Sequence, residues 1–270
     1  PSITGINSPL LVITDVTSAD AGSYRCVISN TCKTEISNPA IVTVNPDVLF
    51  SAHPVSDSKC ELQTTSFSVT ANGVNILYQW FRNGVPLSNT ARISGVATSN
   101  LIINNLTVAD QGNYYCMISD NCSSAYSTIA VLEIKALTVI NSQPEDKSVC
   151  EGEDSFFEVT ATGDNLFYQW QKNGTNLSDG GNIFGSGSSV LIIQNTTIAD
   201  QGVYRCQVTG SCNSMLSSPA SLNINPLPGP AGVVTGENIV CQGARNVLYV
   251  VPAIVNATSY AWELPYGANI

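Results

Sequence analysis

The motif Asp-x-Gly-x-Tyr-x-Cys occurs three times, running from Asp20 to Cys26, from Asp110 to Cys116 and from Asp200 to Cys206. The step between copies is constant (110 − 20 = 90 and 200 − 110 = 90). A signature that returns at an interval of about one domain's length marks a single fold repeated in tandem. The rest of the 270-residue chain can be placed by its offset from these motifs.

Residues 1–45 read as the last half of a unit, with strands expected over Leu11–Ile13, Asp20–Cys26 and Ala40–Val44, and Asn45-Pro46 as a break. Residues 46–136 form a whole unit. Ser66–Thr70 alternates with period two, Tyr78-Gln79-Trp80 begins a second strand, and Asn83-Gly84 is a hairpin turn signal. Leu101–Ile103 leads to the motif, and Ala130–Ile134 closes the unit. Residues 137–226 repeat this order, with Phe157, Val159, Trp170 and Asn173-Gly174 each 90 positions after Phe67, Val69, Trp80 and Asn83-Gly84. Residues 227–270 open with Pro-rich chain and change pattern, with strands expected over Val247–Val251 and Tyr260–Trp262. Every apolar run is short and no segment sustains a 3.6-residue period, so the chain is all-β. It is expected to begin and end inside a repeat, as a piece of a larger protein.

Charged residues make up 11% of the chain, the net charge is −10 and the pI is about 4.3. Ten scattered Lys and Arg residues supply no basic patch, which argues against nucleic acid as a partner. No run of about 18 apolar residues is present, so no direct membrane insertion is expected from this segment. Nine cysteines at repeating positions point to an oxidising compartment. Zinc is a poor alternative, because Cys-x-x-Cys is absent and His53 is the single histidine.

Tyr-x-Trp, Asn-Gly, Leu-x-Ile and Asp-x-Gly-x-Tyr-x-Cys, in that order and spacing, resemble an immunoglobulin-like β-sandwich. The resemblance covers residues 1–226. It implies that Trp80 and Trp170 lie between two sheets, that Tyr24, Tyr114 and Tyr204 hydrogen-bond back to a corner, and that Asp20, Asp110 and Asp200 cap that corner. It also implies an Arg92–Asp110 bridge, absent from the third repeat because Asn182 stands at the matching position. The usual disulfide between strands B and F cannot form, since Val69 and Val159 occupy the strand B position. That departure is similar to immunoglobulin-like modules in large secreted surface proteins of the Bacteroidetes type. Val240-Cys241-Gln-Gly243, Tyr260-Ala-Trp262 and Leu264-Pro-x-Gly-Ala268 resemble a partial PKD-like β-sandwich from such proteins. Trp262 would then be structural, like the other two tryptophans.

The cysteines recur in three positions: before strand B (Cys60, Cys150, Cys241), on strand F (Cys26, Cys116, Cys206), and six residues later (Cys32, Cys122, Cys212). A three-residue hairpin loop with Asn30, Asp120 or Gly210 left-handed would set Cys26 against Cys32, Cys116 against Cys122, and Cys206 against Cys212. Pairing Cys60 with Cys212 between neighbouring domains is a second arrangement. Free buried thiols are a third. Cys60 with Cys122 inside one domain fits an ordinary sandwich poorly.

No base and nucleophile recur together, so no catalytic residue, cofactor or metal ligand is assigned and the chain is not expected to be an enzyme. Glu145-Asp146 and Glu151-Gly-Glu153-Asp154 read as solvated turns, lacking calcium-loop spacing. The resemblance implies a non-catalytic stretch of an extracellular, cell-surface protein, serving as stalk or adhesin modules. Partners would be neighbouring domains and glycans or other cell-surface molecules. The alternative is a spacer or carbohydrate-binding accessory region of a secreted enzyme. An animal receptor ectodomain fits less well, given Val69 and Val159.

Overall fold

A computed structural model describes residues 2–265. The chain divides after Lys135 into two compact units. The last part of the Leu264–Ala268 motif, from Tyr266 on, lies outside the described residues.

In the first unit, residues 46–135 form two sheets around one core. The larger sheet runs Val85–Pro86, Leu77–Arg82, Gly112–Ser119, Ala130–Lys135, Asp57–Cys60, with Ser124–Tyr126 also paired to Gly112–Ser119. Its last pair is parallel and the others antiparallel. The facing sheet is Ile93–Ser94, Asn100–Ile103, Thr65–Ser68. Leu49–Ala52 pairs with Thr70–Asn72 in a ladder whose register shifts at Thr70/Ala71. The predicted Ser66–Thr70 strand is therefore split, with Val69 between two ladders.

Alternation fills the core. Tyr114, Cys116 and Ile118 point inward from one strand, Ala130, Leu132 and Ile134 from the next, and Phe67 and Trp80 complete it. Burying a side chain such as Phe67 contributes roughly 1.5–3 kcal/mol. Trp80 donates its Nε1–H to the Thr98 carbonyl at 2.9 Å, so the ring is buried without an orphaned donor. The hairpin turn has φ +49° at Asn83 and +84° at Gly84, the double left-handed backbone that a two-residue loop of this twist requires.

Residues 137–225 of the second unit repeat this plan. Phe157, Val159, Trp170, Tyr204, Cys206 and Val208 form the core, Trp170 donates to the Ser188 carbonyl at 2.9 Å, and Lys147–Cys150 runs parallel to Ala220–Asn225.

The flanking segments are sparser. Among the described residues before 46 the ladders are two-stranded, such as Gly22–Tyr24 with Ala40–Val42 and Val27–Ser29 with Thr34–Ile36, and Val27, Ile28, Ile36 and Ile41 are exposed. The motif there does not give one strand from Asp20 to Cys26. Ser18–Asp20 is a 3-10 turn, and the pairing breaks after Tyr24. Beyond residue 226 the described ladder is Thr235–Gly236 with Tyr249–Val250. The expected Tyr260–Trp262 strand is not formed, and Trp262 is half exposed. A lone two-stranded ladder has no second layer to close over an indole.

Candidate functional site

The motif builds the same corner three times. Thr17, Thr107 and Thr197 precede a 3-10 turn ending at Asp20, Asp110 and Asp200. Each Asp Oδ2 accepts both the Thr N–H and the Thr Oγ1–H at 2.8–2.9 Å. Tyr24, Tyr114 and Tyr204 donate their Oη–H to the same aspartate's carbonyl at 2.9, 2.6 and 2.7 Å. Thr and Asp are short enough to satisfy the turn's free amides locally, which is why these types recur here.

The charges around the corner differ between copies. Arg92 makes two hydrogen bonds to Asp110, at 2.8 and 3.1 Å, and reaches the Asn105 carbonyl at 3.0 Å. Arg82 adds a contact to Asp110 at 3.5 Å. Burial opposes ionisation of Asp110, but the hydrogen bonds from Arg92 and Thr107 outweigh it and hold its carboxyl below the usual range. In the next copy Asn182 Nδ2 donates to Asp200 at 3.0 Å, a single bond from a neutral amide. Lys172, 90 positions after Arg82, donates to the Ala199 carbonyl as Arg82 does to Ala109.

The cysteines depart from the hairpin scheme. Cys26, Cys32, Cys116, Cys122 and Cys206 are free thiols, so none of the pairs Cys26–Cys32, Cys116–Cys122 and Cys206–Cys212 is bonded. The register explains this. Ser127 lies opposite Cys116, its Oγ accepting the Cys116 N–H and its own N–H bonding the Cys116 carbonyl. Cys122 sits at the tip of a turn over Asp120–Ser123. Nor are Asn30, Asp120 and Gly210 left-handed. Asn30 and Asp120 instead accept the backbone N–H groups two and three residues on, each on Oδ1 at 2.8–2.9 Å. At Gly210 a Cβ would come within 2.3 Å of Thr138 Oγ1, so close packing excludes a side chain there. Cys116 and Cys206 are fully buried with Val69 and Val159 in their respective cores. Burial pushes both thiols up to about 11, leaving them protonated and inert. Cys60 and Cys212 are disulfide-bonded. Cys122, Cys150 and Cys241 are exposed free thiols.

His53 accepts the Thr128 N–H on Nδ1 at 3.2 Å. Glu153 and Asp154 accept the Cys150 and Asn195 N–H groups at 2.8 Å. Glu153 therefore holds a turn, while His53 and Asp154 tie together segments distant in sequence. Among the described residues no group of three His, Cys, Asp or Glu side chains is placed to hold a metal, and no helix is long and apolar enough to cross a membrane. Sequence reasoning passed over Thr107, Thr197, Gln79 and Gln169. The last two donate Nε2 to the adjacent Trp carbonyl and to Leu87 or Leu177. Their recurrence at a 90-residue step was the available signal.

Two closed sandwiches with this corner define tandem immunoglobulin-like domains. An Immunoglobulin I-set domain profile matches residues 50–134, an Immunoglobulin domain profile residues 139–209 and a PKD-like domain profile residues 227–270. The chain thus carries tandem immunoglobulin-like domains followed by a PKD-like domain. Curated relatives include the cell adhesion molecule DSCAM of Gallus gallus, 27% identical over 96% of this chain and 13% of the relative. Protein sax-3 of Caenorhabditis elegans is 27% identical over 78% of this chain and 17% of the relative. The chain spans well under a fifth of the length of either. Among solved structures, the titin I-band fragment I67-I69 superposes with a TM-score of 0.68 at 24% identity, over 79% of this chain and 78% of the fragment, which shows the fold. These relatives are animal proteins and give no support to a Bacteroidetes-type origin.

Proposed function

We propose that this segment is a run of modules in a large extracellular protein, acting in cell-surface attachment or in projecting other domains. The observation that carries the reading is likeness to cell adhesion molecules over 96% of the chain, joined to two sandwiches that each close their own core. Neighbouring domains are its first partners, and cell-surface proteins or glycans its external ones. The finer assignment, a bacterial surface stalk, rests on the PKD-like match at 227–270 and on Val69 and Val159 in place of the sandwich's second cysteine. Beads coated with the chain, presented to cells and to a glycan array, test the reading. Specific attachment identifies adhesion modules. Coated beads that bind no better than bare ones reduce the role to a spacer, the one that an accessory region of a secreted enzyme would share.

A further inference from the structure

We propose that Asn72 is a self-modifying site, at which the Gly73 backbone nitrogen attacks the Asn72 carboxamide and converts the residue to aspartate and isoaspartate. Asn-Gly occurs at Asn72-Gly73, Asn83-Gly84 and Asn173-Gly174. Glycine has no Cβ to shield its nitrogen from the preceding side chain, so all three pairs carry the needed groups. Their surroundings separate them.

Asn83 and Asn173 are held. Asn83 Oδ1 accepts the Asn113 N–H at 2.8 Å, while its own N–H bonds the Asn113 carbonyl at 2.9 Å. Asn173 does the same with Val203, at 2.9 and 2.8 Å. Both carboxamides also lie against the backbone of Gly112 or Gly202, where a Cβ would come within 2.7 or 3.0 Å of them. Neither can turn onto the following glycine without giving up these contacts. Asn72 ends the Thr70–Asn72 strand, its side chain is exposed, and among the described residues it makes no hydrogen bond. Gly73 cannot be exchanged for a residue that would shield it, because a Cβ there would lie 2.7 Å from Cγ1 of Val48, a buried, β-branched side chain. The matching pair in the next copy is Thr162-Gly163. Gly163 is closely packed too, a Cβ there meeting Thr138 Cα at 3.0 Å, yet threonine has no carboxamide to lose. Packing thus demands the glycine in both domains, and only the first sets an asparagine before it. In the reaction the Gly73 nitrogen bonds to Asn72 Cγ, its proton leaves with the amide nitrogen as ammonia, and a five-membered imide results. Water then adds across one of the two C–N bonds of the imide. One opening gives aspartate, the other isoaspartate, whose main chain runs through the side-chain carbon. That extra backbone atom breaks the pairing of Asn72 with Leu49.

The test incubates the native chain in neutral buffer at body temperature and follows the three sites by peptide mapping, with isoaspartate read by enzymatic methyl labelling. Asn72 should convert roughly fivefold or more faster than Asn83 or Asn173, the factor for breaking one hydrogen bond of ordinary net strength. In urea the three rates should converge. Asn72→Gln, whose longer side chain closes an imide far more slowly, should abolish the signal at that position while circular dichroism stays unchanged. Hydrogen exchange at Leu49–Ala52 should quicken as Asn72 converts. An Asn72 that survives native incubation for as long as the urea-unfolded chain takes to convert would overturn the proposal. So would Asn83 and Asn173 converting as fast as Asn72, or unchanged exchange in fully converted protein. These readings need neither ligand nor cell, and the attachment reading is left to the bead assay.

Discussion

Asp110 gathers donors from Thr107 and Arg92 at a nearly inaccessible carboxylate, while Asp200 has an amide in place of the guanidinium. Arg92→Asn, which copies the later domain, should cost residues 46–135 about 1 kcal/mol in urea denaturation, the usual net worth of a hydrogen bond in a partly exposed setting. A carboxyl whose folded pKa is depressed stabilises fully above its unfolded value near ~3.9, and that stability is lost as pH falls through the folded pKa. The urea midpoint should therefore be steady above pH ~5 and decline below ~4, with a smaller acid-dependent loss in Arg92→Asn. The bridge could be anticipated because Arg, Asp and the corner are joined by a resemblance that fixes their geometry. Thr107 was harder to see, since threonine is common in this chain and only its 90-residue recurrence sets it apart. Leu62 is a different case. Its φ is +67°, where Gly152 stands in the next copy, and its side chain is largely exposed. Leu62→Gly should raise stability by roughly 0.5–1 kcal/mol, the left-handed penalty less the added chain entropy.

Hairpins and strands show where sequence reasoning reached its limit. The Asn83-Gly84 turn could be read directly, because two consecutive positive φ values admit few residue pairs. The loop after Ser119 could not, because Asp120 closes a turn through its side chain rather than by a left-handed backbone, and that choice shifts Cys122 from the ladder to the tip. A spacing of six residues was compatible with both. The consequence for the buried sulfur can be measured. In native protein Cys116 and Cys206 should resist iodoacetamide while Cys122 and Cys150 react, and unfolding should abolish the difference. Val69→Cys should restore the sandwich's usual partner for Cys116, visible as a new disulfide and a gain of about 2–4 kcal/mol for the loop it closes.

At the scale of the whole chain, the short apolar runs without a 3.6-residue period made the all-β class plain, whereas the strand expected over Tyr260–Trp262 is not formed. Tyr260–Trp262 has strand-forming residues, but side chains of that kind need a facing layer before they form a buried strand. The parallel pairing of Asp57–Cys60 with Ala130–Lys135 has a further consequence. Asp57–Cys60 is the second strand of the sandwich, after Leu49–Ala52, and Ala130–Lys135 is its last, and the two run in the same direction. Tension applied through the chain pulls them oppositely along their length, so their hydrogen bonds must rupture together in shear rather than unzip one by one. Ser58 and Cys60 direct their N–H groups to Asp57 and Gln63, which leaves the Lys59 N–H facing the exit strand. Lys59→Pro should therefore lower the unfolding force of this domain in single-molecule pulling, leaving that of the neighbouring domain unaltered. A protein that holds surfaces apart or together would draw its mechanical strength from that short seam.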